Sequence, residues 1–196
     1  MKIYFMFILI FLPFKIFACQ DYAPWQKVNK DCKWTKFSES AVQSSILPTL
    51  IPTDISKFCP KYSKLNMDEK NKFWVTLISA IARPESNYDP KTTYTEKFVD
   101  AHGNYVISRG LLQISIESAN QKLYSCQIKK AEDLHTPETN IQCGIKILSA
   151  LVKKDNSIAS YTSTPVGGAK YWSVLRSSKG HLPEITGNTK KLPFCQ

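Results

Sequence analysis

Asn66-Met67-Asp68-Glu69-Lys70-Asn71-Lys72-Phe73-Trp74-Val75-Thr76-Leu77-Ile78-Ser79-Ala80-Ile81-Ala82-Arg83-Pro84-Glu85 decides the fold class. Phe73, Trp74, Leu77, Ile78 and Ile81 recur at helical spacing, which predicts an amphipathic helix over about 67–82. Asn66 followed by Glu69 fits a capping arrangement in which the Asn side-chain oxygen accepts an orphan backbone N–H. Continuing Phe73, Leu77, Ile81 by four lands on Glu85, so a helix that persists that far carries this carboxylate on its buried face. Pro84 lacks a backbone donor and predicts distortion at the helix end. A carboxyl in apolar surroundings has a raised pKa, because desolvation penalises its charged form. Such a group stays protonated near neutrality and can act as a general acid.

Outward from this segment the signals are mostly helical. Ser38 is expected to cap a helix through Leu47, ended by Pro48. Pro48, Pro52 and Pro60 punctuate a turn-rich stretch holding a short helix near 54–58. Thr136-Pro137-Glu138 reads as a helix start, with Pro at the first position and an acid in the first turn. Its stripe is Ile141, Ile145, Leu148 and Val152. A shorter helix follows Ser115, with Ala119 and Leu123 on one side. A last one is expected around 169–176, carrying Tyr171, Trp172 and Leu175, with Gly180 as a stop. Strand character is confined to 89–107, where β-favouring residues flank Asp100-Ala101-His102-Gly103-Asn104 as a hairpin. The expected fold is mainly α, with one small β-hairpin beside Glu85.

The 196 residues suit one domain with a full core. Residues 1–18 read as a secretory signal: Met1-Lys2, an apolar run from Ile3 to Phe14, then Lys15-Ile16-Phe17-Ala18. Residues 19–66 are read as a helical, turn-rich extension and 67–196 as the main domain. No later stretch is apolar for long enough to span a bilayer. Ile-Phe-Ala-Cys also loosely resembles a lipoprotein cleavage box at Cys19. However, six cysteines (Cys19, Cys32, Cys59, Cys126, Cys143, Cys195) suit three bridges in an exported, unanchored chain. Fifteen connectivities are open. The formal charge is +10. Losing Lys2 and Lys15 with the leader leaves +8 (10 − 2). Such a surface favours anionic partners such as wall polymers, nucleic acid or membrane, or simply keeps the chain soluble.

Two motifs carry the chemistry. Glu85-Ser86-Asn87-Tyr88-Asp89-Pro90 is followed by Ser108-Arg109-Gly110-Leu111-Leu112-Gln113-Ile114. Together they resemble the paired signature of soluble-lytic-transglycosylase-like and goose-type lysozyme domains, glycoside hydrolase family 23. Asn140-Ile141-Gln142-Cys143-Gly144-Ile145 and Ala159-Ser160-Tyr161 resemble two further family segments, so the likeness covers roughly 68–176. It implies a lysozyme-like, disulfide-bridged helical fold with the hairpin beside a cleft, acting as a monomer without a cofactor on peptidoglycan glycan strands. The bond cut is the β-1,4 link between MurNAc and GlcNAc, with Glu85 as general acid. The second motif lines the sugar cleft, and Ser108, Gln113 and Tyr161 are the candidates for holding sugar or Glu85. The chain departs from the family where Thr162 follows the tyrosine in place of Asn, and in the length of 90–108.

A second carboxylate would decide the reaction. An inverting hydrolase needs a base to activate water; Asp89, Glu96, Asp100 and Glu117 are candidates, with Asp100 favoured. Without one, the family's transglycosylases close the sugar's own 6-hydroxyl onto the anomeric carbon and release a 1,6-anhydro product. Participation of the 2-acetamido group ties that route to N-acetylated glycan. Two other classes remain: a non-catalytic wall-binding or inhibitor-like protein on this scaffold, and a basic secreted nucleic-acid binder, the latter suggested by charge alone. His102, His135 and His181 are isolated, with no metal spacing and no HExxH, so no metal is expected. The expected location is periplasmic or extracellular.

Overall fold

The computed structural model describes residues 21–196; the expected leader and Cys19 lie outside the described residues. Among the described residues, five α-helices and one two-stranded sheet are joined by short 3-10 turns. The predicted central helix forms as α2 (Met67–Ser86), with the Asn66–Glu69 capping box present in both directions. Phe73, Trp74, Leu77, Ile78 and Ile81 are buried. Pro84 sits inside α2 without ending it, and helical geometry therefore reaches Glu85.

α1 spans Lys33–Gln43, starting earlier than expected. Ser38 does not cap it. It lies mid-helix, buried, with Oγ donating to Trp34 O at 2.7 Å, the back-bonding that Ser offers inside a helix. The turn-rich stretch contains a 3-10 turn at Ile55–Lys57. The hairpin comprises β1 (Thr93–Val99) and β2 (Tyr105–Arg109), paired antiparallel as Tyr94↔Ser108 and Val99↔Tyr105 with an irregularity between Thr95 and Val99. α3 is a single turn at Ile116–Ala119, and Leu123 beyond it is exposed. α4 (Pro137–Asp155) begins at the predicted Thr136-Pro137 and buries Ile141, Ile145, Leu148 and Val152.

The expected helix at 169–176 is instead two 3-10 turns, Gly167–Lys170 and Ser173–Leu175. A true last helix, α5 (Leu182–Lys190), follows them. Its Thr-Gly-Asn-Thr run has low helix propensity. Tertiary contacts compensate: Leu182 and Ile185 are buried and Thr189 Oγ1 donates to Phe58 O at 2.8 Å.

One core cluster holds residues from both expected segments, among them Trp25, Val42, Leu47, Phe58 and Tyr62 from 21–66 and the α2 and α4 stripes. Disulfides link Cys59 to Cys195 and Cys126 to Cys143, and Cys32 is also disulfide-bonded. Among the described residues, no helix is long and apolar enough to cross a membrane.

Candidate active site

Glu85 sits on the last turn of α2, one helical repeat beyond Ile81. Burial, and secondarily the negative charge of Glu96, push its pKa from an ordinary 4.5 up to about 7. The Glu85 carboxyl is therefore substantially protonated near neutrality, the state a proton donor requires. Arg83 does not offset this: it pairs with Glu184, 3.9 Å away.

After α2 the backbone turns sharply through two left-handed residues, Asn87 (φ 51°) and Tyr88 (φ 66°). Asn tolerates this region; Tyr does so at a cost. Tyr88 is buried there. Ser86 Oγ donates to Leu111 O at 2.9 Å, fixing the end of α2 against the second motif.

That motif forms a closed loop. Arg109 and Ile114 exchange backbone hydrogen bonds at 3.0 and 2.9 Å. Gly110 adopts φ 75°, and a Cβ there would lie 2.2 Å from Leu134 O and 2.5 Å from Asn140 Nδ2. Only glycine fits both the conformation and the space. The buried Asn140 side chain clamps the loop: Oδ1 accepts from Leu112 N at 2.8 Å, and Nδ2 donates to Arg109 O and Leu134 O, each at 2.9 Å. Trp172 Nε1 adds a hydrogen bond to Leu112 O at 2.9 Å.

The structure separates the expected site residues. Ser108 is buried and donates to Glu96 Oε1 at 2.7 Å, so it holds a carboxylate on the opposite strand. Gln113 is also buried, left-handed at φ 47°, and its Nε2 donates to Gly110 O at 2.8 Å and Thr92 O at 3.1 Å. It locks the loop from inside, leaving Oε1 buried without a partner among the described residues. Tyr161 is exposed, with Lys57 Nζ 3.5 Å from its ring centroid, in a cavity lined also by Ser177, Leu182, Thr186 and Lys190.

Asp100, favoured from the sequence as the second carboxylate, lies at the hairpin tip. It shapes the hairpin turn, where Oδ1 accepts from His102 N at 2.8 Å and Asn104 N at 2.9 Å. The carboxylate that acts on Glu85 is Glu96, a half-buried residue on β1. Pairing of Tyr94 with Ser108 puts Glu96 diagonal to Ser108 on one sheet face, so strand alternation around 94–108 contained the signal. Tyr171, which packs against the core, is the other residue near the site. Burial, with the charge of Glu85 adding to it, pushes the pKa of its hydroxyl up. Among the described residues no cluster of His, Cys, Asp and Glu could hold a metal ion.

A half-buried glutamic acid whose pKa is raised to about 7, with a second carboxylate acting on it and a rigid glycine loop packed against the end of its helix, is an arrangement suited to glycosidic bond cleavage. The Transglycosylase SLT domain family matches residues 65–179. The chain belongs to this family. Solved structures of Bd0314 DslA are similar over nearly its whole described length. The wild-type form 2 is 42% identical with a TM-score of 0.82, covering 89% of this chain and 97% of that one. Two DslA mutants carry glutamine in place of glutamate, at that chain's positions 143 and 154. Each is 41% identical, with TM-scores of 0.83 and 0.82, covering 89% of this chain and 98% and 97% of theirs. No curated protein matches the chain. Membership of the SLT family agrees with a lysozyme-like helical fold, and the disulfides fit an oxidising compartment.

Proposed function

We propose that this SLT-domain protein is an exported, monomeric peptidoglycan-cleaving glycosidase that cuts the β-1,4 bond between MurNAc and GlcNAc. Glu85 is its general acid and Glu96 its second carboxylate. The observation that carries the reading is the elevation of Glu85 to about 7 by burial with Glu96 opposite. The DslA mutants support the pair. Their replaced glutamates are 11 positions apart (154 − 143), as are Glu85 and Glu96 (96 − 85).

In the hydrolytic scheme Glu85 donates its proton to the glycosidic oxygen as the bond from the anomeric carbon to that oxygen breaks. Glu96, oriented by Ser108, takes a proton from the water that attacks the anomeric carbon, giving a reducing end. Family membership favours a second outcome from the same acid, in which the sugar's 6-hydroxyl attacks and returns its proton to Glu85, giving a 1,6-anhydro product. Ser108, Gln113 and Gly110 then serve as positioning residues behind the cleft wall. Glycan acetylation enters because only an N-acetylated sugar can assist through its own acetamido group.

Mass spectrometry of muropeptides from native and chemically deacetylated walls, treated with wild-type protein, Glu85→Gln and Glu96→Gln, tests the proposal. Cleavage by the wild type and its loss in Glu85→Gln is expected, and the product end group distinguishes the two schemes. Intact walls after wild-type treatment would overturn the enzyme reading and leave a wall-binding protein.

A further inference from the structure

Between the hairpin tip and α3 lies a groove of about 380 Å³ that the catalytic pair does not fill. One wall is apolar: Phe98, Val99 and Val106. The other is polar: Glu117, Ser118 and Gln121. Phe98 is 59% exposed, and Tyr94, Val99 and Tyr105 on the same hairpin are at least half exposed. Four of the ten large apolar residues exposed among the described ones therefore sit on this one element, and two of them, Phe98 and Val99, line the groove. The Gln121 amide and Glu117 carboxylate make no hydrogen bond within the described residues, so both are available to a ligand.

The groove is continuous with the catalytic wall. Val106 lies two residues before Ser108, which holds Glu96. Ser115 and Ser118 on the groove's polar side lie near Tyr171, on which the charge of Glu85 acts. Phe98 follows Glu96 by two residues on β1, so the apolar wall and the second carboxylate belong to one short stretch of strand. A pyranose matches the two walls: its axial C–H face is apolar and its rim carries hydroxyl and amide groups.

We propose that this groove is a glycan-binding subsite. Phe98 is its stacking platform, and Gln121 and Glu117 hydrogen-bond the ring substituents of an amino sugar in the strand being cut. The inference rests on the peptidoglycan reading for the identity of the strand but on the groove alone for binding. The test uses tetra-N-acetylchitotetraose as probe, bound to Glu85→Gln protein and followed by NMR. Amide shifts at Phe98, Ser118 and Gln121 are expected. Adding Phe98→Ala should weaken the Kd by about five- to tenfold, while Phe98→Tyr restores it. In otherwise wild-type protein acting on glycan strands, Phe98→Ala should raise KM more than it lowers kcat. Groove shifts without any wall cleavage would uphold the subsite and overturn the enzyme reading. Shifts confined to the Glu85–Glu96 region, no binding, or an unchanged Kd in the alanine variant would overturn the subsite.

Discussion

At pH 8 the folded chain must keep Glu85 charged in surroundings that favour its neutral form. Its pKa rises from 4.5 to about 7 on folding, so the folded state binds the proton more tightly than the unfolded one. The stabilisation from that proton is fully present below pH 4.5 and is lost as pH rises through 7. Glu85→Gln, neutral at every pH, should match wild type near pH 4 and exceed it at pH 8 by about 2–3 kcal/mol. Urea unfolding at the two pH values measures this, and a constant difference between them would show that Glu85 is not desolvated. Glu96 contributes the smaller part of the shift. In Glu96→Gln the like charge is gone and the Glu85 pKa should fall, yet stay well above 4.5 because burial persists. Carboxyl ¹³C NMR titration follows it directly; an unmoved midpoint would mean that the two carboxylates do not interact.

The Glu85 site depends on a loop that cannot hold itself. Residues 109–113 contain a left-handed Gly110 and a left-handed Gln113, both costly to order, and Asn140 from α4 supplies three hydrogen bonds across the gap. Asn140→Ala leaves Leu112 N–H and the carbonyls of Arg109 and Leu134 without that partner in a buried region. A loss of about 3 kcal/mol is expected in urea denaturation, larger than for a surface Asn such as Asn188. Such elements differed in how far the sequence revealed them. The α2 and α4 stripes are local, 3.6-residue patterns with caps at their starts, and both formed where expected. α5 was hidden because its helix is made by Ile185, Thr189 and the chain it packs on, not by its own propensities. Glu85 was legible as the next position on a stripe. Glu96 stood among four candidate carboxylates, but its contact with Ser108 follows from strand pairing across 12 residues, and turn chemistry made Asp100 look distinctive for another reason. Tyr171 was hidden because only tertiary packing brings it to the site.

Among the described residues, the 54–59 stretch and the C-terminal third close around the α2–α4 core. Asp54 accepts from Ile158 N and Ala159 N, each at 2.9 Å. Thr189 Oγ1 donates to Phe58 O, and Cys59 is bonded to Cys195. Residues 21–66 are thus sewn to the C-terminal third rather than appended to it. Cys59–Cys195 closes 136 residues, whereas Cys126–Cys143 closes 17. In the chain-entropy description, a crosslink stabilises by removing unfolded-state freedom that grows with the logarithm of loop length. The long bridge should therefore contribute about 2 kcal/mol more than the short one. Both cysteines of the long bridge are fully buried, so alanine is the replacement that avoids stranding a polar group in the core. Comparing Cys59→Ala/Cys195→Ala with Cys126→Ala/Cys143→Ala by urea unfolding tests the point. Equal losses would mean that the hydrogen bonds of Asp54 and Thr189 already hold the ends together without the bridge.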